Sequence, residues 1–241
     1  MISDILNKIS SIASRGKKMF SVLIDPDFDN IVHLEKLISL CNKKKVDFIF
    51  TGGSLLSNGN IDKTIDFIKN MTDIPVVIFP GSPSQISSKG DALLLLSLVS
   101  GRNPDFLIGK HVEAAIELKN SKIEIIPTAY LLIDGGNKTT ASYISFTNPL
   151  PADKPMLTAA TALAAQQLGM KLIYLDCGSG AKHSVSDETI SAVKKYTELP
   201  LIVGGGIDSA EKIENAYNAG ADMVVLGTVF EKNPEILNEF I

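Results

Sequence analysis

The sequence predicts an α/β fold, a (β/α)8 or TIM barrel, and three observations point to it. Eight short apolar runs recur along the 241 residues, helical patterns lie between most of them, and glycine-rich segments close several of the runs. Nearly continuous apolar runs suit parallel strands covered on both faces, whereas a strand with one wet face alternates. Strand and helix alternating eight times in one chain is the order of the barrel. A doubly wound open sheet has the same order, because counting strands does not prove closure.

The elements follow in sequence. An amphipathic N-terminal helix comes first, with Ile2, Ile5, Leu6, Ile9, Ile12 and Ala13 at helical spacing, an addition to the barrel plan. The eight strand runs are "MFSVLI" (19–24), "VDFIFT" (46–51), "IPVVIF" (74–79), "ALLLLS" (92–97), "IEIIPTAYLLI" (123–133), "KLIYLD" (171–176), "PLIVG" (200–204) and "DMVVLG" (222–227). Between them, "IVHLEKLISLCNKK" (31–44) puts Leu34, Leu37, Ile38 and Cys41 on one stripe, and 61–71 does the same with Ile61, Ile65 and Ile68. Helical patterns return at 104–119, 156–169, 187–196 and 209–220. Asp208 with Glu211 forms a capping box for the last of these, and Gly220 is a C-terminal stop. Two segments break the pattern. "PGSPSQISSKGD" (80–91) is too irregular for a full helix, so the third outer helix is expected to be missing or reduced to a turn. The long stretch 134–155 lacks periodicity, and loops of that length are usually functional. In a barrel it hangs over the catalytic face.

Composition narrows the classes. With 45% hydrophobic residues, the chain has enough apolar mass for one packed domain spanning residues 1–241. Net charge is −4, and the one basic run, Lys43-Lys44-Lys45, suits a solvated helix end rather than the clustered basic face of a nucleic-acid binder. Cys41 and Cys177 make no disulfide framework and no CxxC, so a reducing cytoplasm is the expected location. The longest apolar run, 92–99, is far short of a transmembrane segment. His33 and His111 fall on helical patterns and are expected to be structural or exposed.

Barrel chemistry sits at the C-terminal strand ends, and phosphate often binds to the loops after strands seven and eight. "VGGGID" follows strand seven and "LGT" follows strand eight. Amides unobstructed by side chains approach phosphate oxygens closely, so Gly205, Gly206, Gly227 and Thr228 are the expected cradle of a phosphate monoester, although glycines also make tight turns without any ligand. Strand six ends in "YLDCGSGAK", where Gly178, Ser179 and Gly180 add a second small-residue loop. Asp176, flanked by Tyr174, is a candidate to bind or deprotonate a hydroxyl, while Cys177 is a small filler. Across the mouth, strand one ends in "DPDFD" and strand two in "TGGS". A carboxylate from Asp25 (or Asp27), the Ser54 hydroxyl and waters are what Mg²⁺ accepts when substrate phosphates complete its shell; turn capping is the competing use of such aspartates.

Six motifs in register, "LIDPDF", "FTGGS", "FPGS", "YLDCGSGA", "VGGGI" and "VVLGT", resemble the geranylgeranylglyceryl phosphate synthase family, which includes the bacterial heptaprenylglyceryl phosphate synthases. The resemblance runs from Met19 to Phe230, and the "DGG…NPLPADKP" insert with "YLDCGSG" is similar to the branch called group II. It implies a modified TIM barrel that transfers a prenyl group from a prenyl diphosphate, geranylgeranyl diphosphate in the first place, to the C3 hydroxyl of sn-glycerol 1-phosphate, with Mg²⁺ as cofactor. Carried over by position, it implies Asp25 and Ser54 as metal ligands and Asp176 and Tyr174 as catalytic residues. The glycerol phosphate site becomes Tyr174, Leu175, Asp176, Cys177, Gly178, Ser179 and Gly180 with Gly205, Gly206, Gly227 and Thr228. Many members carry Lys where this chain has Leu23. The family also implies a homo-oligomer, dimer or hexamer.

On that resemblance, a prenyl tail is expected in an apolar groove opened by the missing third helix and lined by Phe79, Leu94, Leu96, Ala129 and Leu131. Two other functions fit parts of the sequence. A phosphosugar isomerase or lyase explains the glycine loops but not the "DPD" end of strand one; a non-catalytic prenyl phosphate-binding protein explains the groove but needs no glycerol phosphate.

Overall fold

A computed structural model describes residues 4–27 and 30–240. Its eight parallel strands are β1 (Met19–Ile24), β2 (Phe48–Thr51), β3 (Val76–Ile78), β4 (Ala92–Leu98), β5 (Glu124–Leu132), β6 (Leu172–Asp176), β7 (Leu201–Gly204) and β8 (Met223–Leu226). Each pairs with the next, and β1 pairs with β8 through Met19↔Met223 to Val22↔Leu226. That last ladder closes the ring and removes the open sheet from contention.

The strands are apolar on both faces because both faces are covered. One apolar cluster joins alternate strand residues inside the barrel, among them Phe48, Phe50, Leu172, Tyr174 and Ile202, to Ile5 and Ile9 of α1 (Ile5–Ser14). Helix α1 therefore stoppers the N-terminal end, and the Glu124 carboxylate at the start of β5 accepts hydrogen bonds from its first amides, Ile5 N at 2.6 Å and Leu6 N at 3.0 Å. Ile2 lies outside the described residues. The opposite strand parity packs on the outer helices α2 (Ile31–Lys44), α3 (Ile61–Lys69), α4 (Lys110–Ser121), α6 (Pro155–Gln167), α7 (Asp187–Tyr196) and α8 (Ala210–Ala219). Lys43 and Lys45 are exposed at the C-terminal end of α2, where cations oppose the helix dipole.

Between β3 and β4 only a 3-10 turn, Pro83–Gln85, replaces the outer helix. The long segment after β5 is a pinned lid. Leu150 N donates to Leu132 O at 2.8 Å and Asp134 N to Leu150 O at 2.9 Å, and between these ties sits the short α5 (Thr140–Ile144), closed by a Thr139/Ser142 capping box. One expected cap is corrected. Ser209, not Asp208, caps α8, its side chain accepting from Lys212 N; Asp208 instead pairs with Lys212 Nζ at 2.8 Å. Gly220 ends α8 with φ 119°, as expected. Two short helices, α9 (Thr228–Lys232) and α10 (Leu237–Phe240), complete the chain. Among the described residues no helix is long and apolar enough to cross a membrane, and both cysteines are free and buried.

Candidate active site

Strand parity sets the first functional side chain. Leu172 and Tyr174 of β6 point into the barrel, so Asp176, the next residue of that parity, reaches its C-terminal mouth. Asp176 is 8% exposed, and both carboxylate oxygens are held: Oδ1 accepts from Gly178 N at 2.7 Å and Oδ2 from the Tyr130 hydroxyl at 2.6 Å. Burial raises its proton affinity, while these two donors pull it down; the net direction is upward. Each oxygen has a second lone pair, so the carboxylate retains room to accept one more hydroxyl.

Tyr130 was invisible to the motif reading. It lies on β5 opposite Tyr174, one strand away from the residue it serves, and only the β5–β6 register, Tyr130↔Tyr174 and Leu132↔Asp176, reveals the pairing. The signal available beforehand was its period-two position with Ile126. Tyr174 stands beside the same carboxylate but makes no hydrogen bond to it; its ring stacks on Phe79 at 5.0 Å and its hydroxyl lies under Gly204. Leu175 and Cys177 belong to the outer core cluster, so they offer the mouth only main chain.

The glycines of β7 meet this carboxylate. Gly205 and Gly206 have φ 76° and 70°, and a Cβ on Gly205 would stand 2.5 Å from Asp176 Oδ1 and 2.6 Å from Gly178 N. Side chains are excluded there by conformation and by space. Beside them Ser179 Oγ and Thr228 Oγ1 are 2.8 Å apart, bringing the loops after β6 and β8 together. Gly178 to Gly180, Gly205, Gly206, Gly227 and Thr228 all line one cavity with Asp25 and Ser54 on its far wall.

On that far wall the two aspartates separate. The Asp27 carboxylate is consumed by the β2 loop, accepting from Ser57 N, Asn58 N and Gly59 N. Asp25 Oδ1 accepts from Asp27 N at 2.9 Å, and among the described residues Oδ2 takes no hydrogen bond. Burial raises the Asp25 pKa, and it raises that of Glu231 too, with the Asp25 charge adding to the effect. Gln85, only 1% exposed, fixes the neighbouring loop: its side chain accepts from Gly53 N and Gly81 N and donates to Gly53 O at 2.8 Å. Phe28 and Asp29 lie outside the described residues. This corner fits a hard dication on chemistry alone. Its donors are oxygens, one Asp25 carboxylate oxygen has no hydrogen-bond donor among the described residues, and no cluster of three or more His, Cys, Asp or Glu occurs among them, so phosphate and water would have to complete the shell.

A second, apolar cavity of about 880 Å³, including its open mouth, begins at Gly53, Ser54, Phe79 and Tyr130 and runs outward across β4. It occupies the place of the missing helix and is lined by Leu93 to Leu96, Leu98, Ala114 and Leu118. Phe79, Leu94 and Leu96 line it as expected, but Ala129 and Leu131 do not. They have the outward parity of β5 and pack in the outer core, and Tyr130 and Leu132 take their place. His111 also lines the groove, its Nε2 at 3.0 Å from Ser97 Oγ; burial lowers its pKa.

Fold and rim together define a TIM barrel whose mouth holds a glycine-lined polar cavity around one buried carboxylate, continuous with an apolar groove at Tyr130 and Phe79. A sequence model described as the PcrB family matches residues 13–241, and the chain belongs to that family. Among its relatives, geranylgeranylglyceryl phosphate synthase from Chitinophaga pinensis is 47% identical over 239 residues, 99% of this chain and 95% of that protein. The Pyrococcus furiosus protein of the same name is 41% identical over 216 residues, 89% and 85% of the two chains. The crystal structure of (S)-3-O-geranylgeranylglyceryl phosphate synthase from Thermoplasma acidophilum in complex with sn-glycerol-1-phosphate superposes with a TM-score of 0.90 at 34% identity, covering 98% and 95%. A Clostridium perfringens N-acetylmannosamine-6-phosphate 2-epimerase, 12% identical with a TM-score of 0.59, shares the fold alone.

Proposed function

We propose that the protein is a geranylgeranylglyceryl phosphate synthase, joining a prenyl diphosphate to the C3 hydroxyl of sn-glycerol 1-phosphate to give an ether and diphosphate. One observation carries the reading: the polar and apolar cavities share Gly53, Ser54, Phe79, Tyr130 and Ala141, and Tyr130 of that shared wall donates its hydroxyl to the Asp176 carboxylate, which lines the polar cavity. A phosphosugar isomerase has no use for the groove.

The glycine loops hold the phosphate of the acceptor and present its hydroxyl to the allylic carbon. Holding two reactants in register removes up to about 7–11 kcal/mol of the barrier in the best intramolecular cases. The new C–O bond forms as the allylic C–O bond breaks; the electron pair departs with diphosphate, and Asp176 accepts the hydroxyl proton. Tyr174 and Phe79 wall the reacting end. Mg²⁺ held by Asp25 and Ser54, with diphosphate oxygens and water, would neutralise charge developing on the leaving group. The tail supplies affinity, about 0.8 kcal/mol for each CH₂ buried in the groove. A cytoplasmic location and a homo-oligomer, dimer or hexamer, belong to the same reading. In its support, both cysteines are free and buried, and α4 with the short helical segment before it exposes Ile108, Val112 and Ile116 while Ala114 and Leu118 pack inward.

The test is direct: purified protein is incubated with labelled sn-glycerol 1-phosphate, prenyl diphosphates of several lengths and Mg²⁺. Ether product is expected, with Asp25→Ala losing it. No product at any chain length, or undiminished product from the variant, rejects the reading.

A further inference from the structure

Tyr130 stands where the two cavities join. Its ring lines both cavities, set edge-on to Phe79 and to Tyr174 with centroids 5.8 Å away in each case. Its hydroxyl has one proton to give and gives it to Asp176 Oδ2 at 2.6 Å. The other donor to that carboxylate, Gly178 N, is main chain and built into the anion cradle. Tyr130 is thus the side chain among the described residues that orients the carboxylate, and removing its hydroxyl leaves one buried oxygen without a donor.

We propose that Tyr130 is a positioning residue for the prenyl transfer: its phenol aims the Asp176 carboxylate at the acceptor hydroxyl, and its ring is the threshold between the anion chamber and the prenyl groove. The proposal rests on the reading of Asp176 as proton acceptor. It also explains a division of labour between the two tyrosines. Tyr174, named by its motif, packs beneath the cradle, while the residue that bonds to the carboxylate comes from the neighbouring strand.

The Tyr130 phenol opposes the burial that raises the Asp176 pKa, so its loss shifts ionisation of Asp176 to higher pH. Tyr130→Phe keeps the ring and removes only the hydroxyl. It is expected to lower kcat by about 10- to 100-fold, the weight of a hydrogen bond to a charged group. The acid limb of kcat/KM moves to higher pH, and KM for both substrates stays near that of the parent enzyme. Fluorotyrosines at position 130 carry the test if the phenylalanine variant does not fold: increasing phenol acidity strengthens the donor and moves the acid limb to lower pH in order. Asp176→Asn serves as the companion. If it keeps full activity, the assignment of Asp176 fails and the proposal with it. An inactive Asp176→Asn beside a Tyr130→Phe enzyme with parental kcat and pH profile, or an acid limb indifferent to fluorination, overturns the role of Tyr130 alone.

Discussion

Gly205 and Gly16 have similar backbone angles, φ 76° and 69°, and opposite surroundings. A methyl group on Gly16 meets nothing within 4 Å, whereas on Gly205 it drives into Asp176 Oδ1 and the amides of Cys177 and Gly178. Gly16→Ala is therefore expected to cost only the left-handed penalty, about 1–2 kcal/mol, read by thermal unfolding, and to leave glycerol phosphate binding untouched. Gly205→Ala adds the collision and loses measurable binding by titration calorimetry; parental affinity would detach the cradle from this glycine. Asp176 gives a second residue-scale prediction. Its pKa is raised in the folded chain, so the native state holds full stability from this group below the ordinary carboxylate range and loses it as pH rises through the raised value. Asp176→Asn should then gain stability relative to the parent at pH 7, and the gain should shrink toward pH 4 in denaturant titrations. Which aspartate does what was only half legible beforehand. The strand-end position marked Asp25, Asp27 and Asp176 alike, but the loop amides that absorb Asp27 belong to residues 57–59, about thirty positions on, and no local pattern announces a contact of that range.

Helices and strands were legible where periodicity and local chemistry agree. The αβ order, the N-terminal helix and the loss of the third outer helix all follow from apolar spacing, because each is a statement about which face a segment can bury. Caps are finer. Asp208 and Ser209 are both good N-cap residues, and backbone direction, not residue type, chooses Ser209 while leaving Asp208 an i,i+4 ion pair with Lys212. Ser209→Ala should cost about 1 kcal/mol in urea unfolding, as lost caps do. Asp208→Ala should cost about 0.3–0.5 kcal/mol, the size of an exposed helical pair. The reverse ranking would return the cap to Asp208. The 80–91 segment shows the limit from the other side. Its composition announced a loop, yet nothing in it marked Gln85 as the buried clamp that joins the second and third strand ends, since its partners are backbone groups at Gly53 and Gly81.

At the scale of the whole molecule, an omitted helix leaves an apolar groove. A complete outer ring would cover β3 and β4; leaving one position to a 3-10 turn leaves Leu95 half-buried beside the core residue Leu93, both lining a groove that α4 walls from the side. Closure of the ring could not be read from eight runs, because the β8–β1 ladder joins the two ends of the barrel chain, but once closed it fixes the groove's mouth beside the cradle. Ala114 of α4 is small and lies on that wall. Filling its place with an indole shortens the space available to a tail while standing apart from Asp176, Asp25 and the glycine loops. Each five-carbon unit displaced from apolar contact forfeits up to about 4 kcal/mol on the methylene scale. Ala114→Trp is expected to shift preference among prenyl diphosphates toward shorter chains, measured as the ratio of kcat/KM values, with sn-glycerol 1-phosphate KM unchanged. An unaltered chain-length ratio in a folded variant would mean that the tail lies elsewhere, and the missing helix would then be a feature of the fold without a part in recognition.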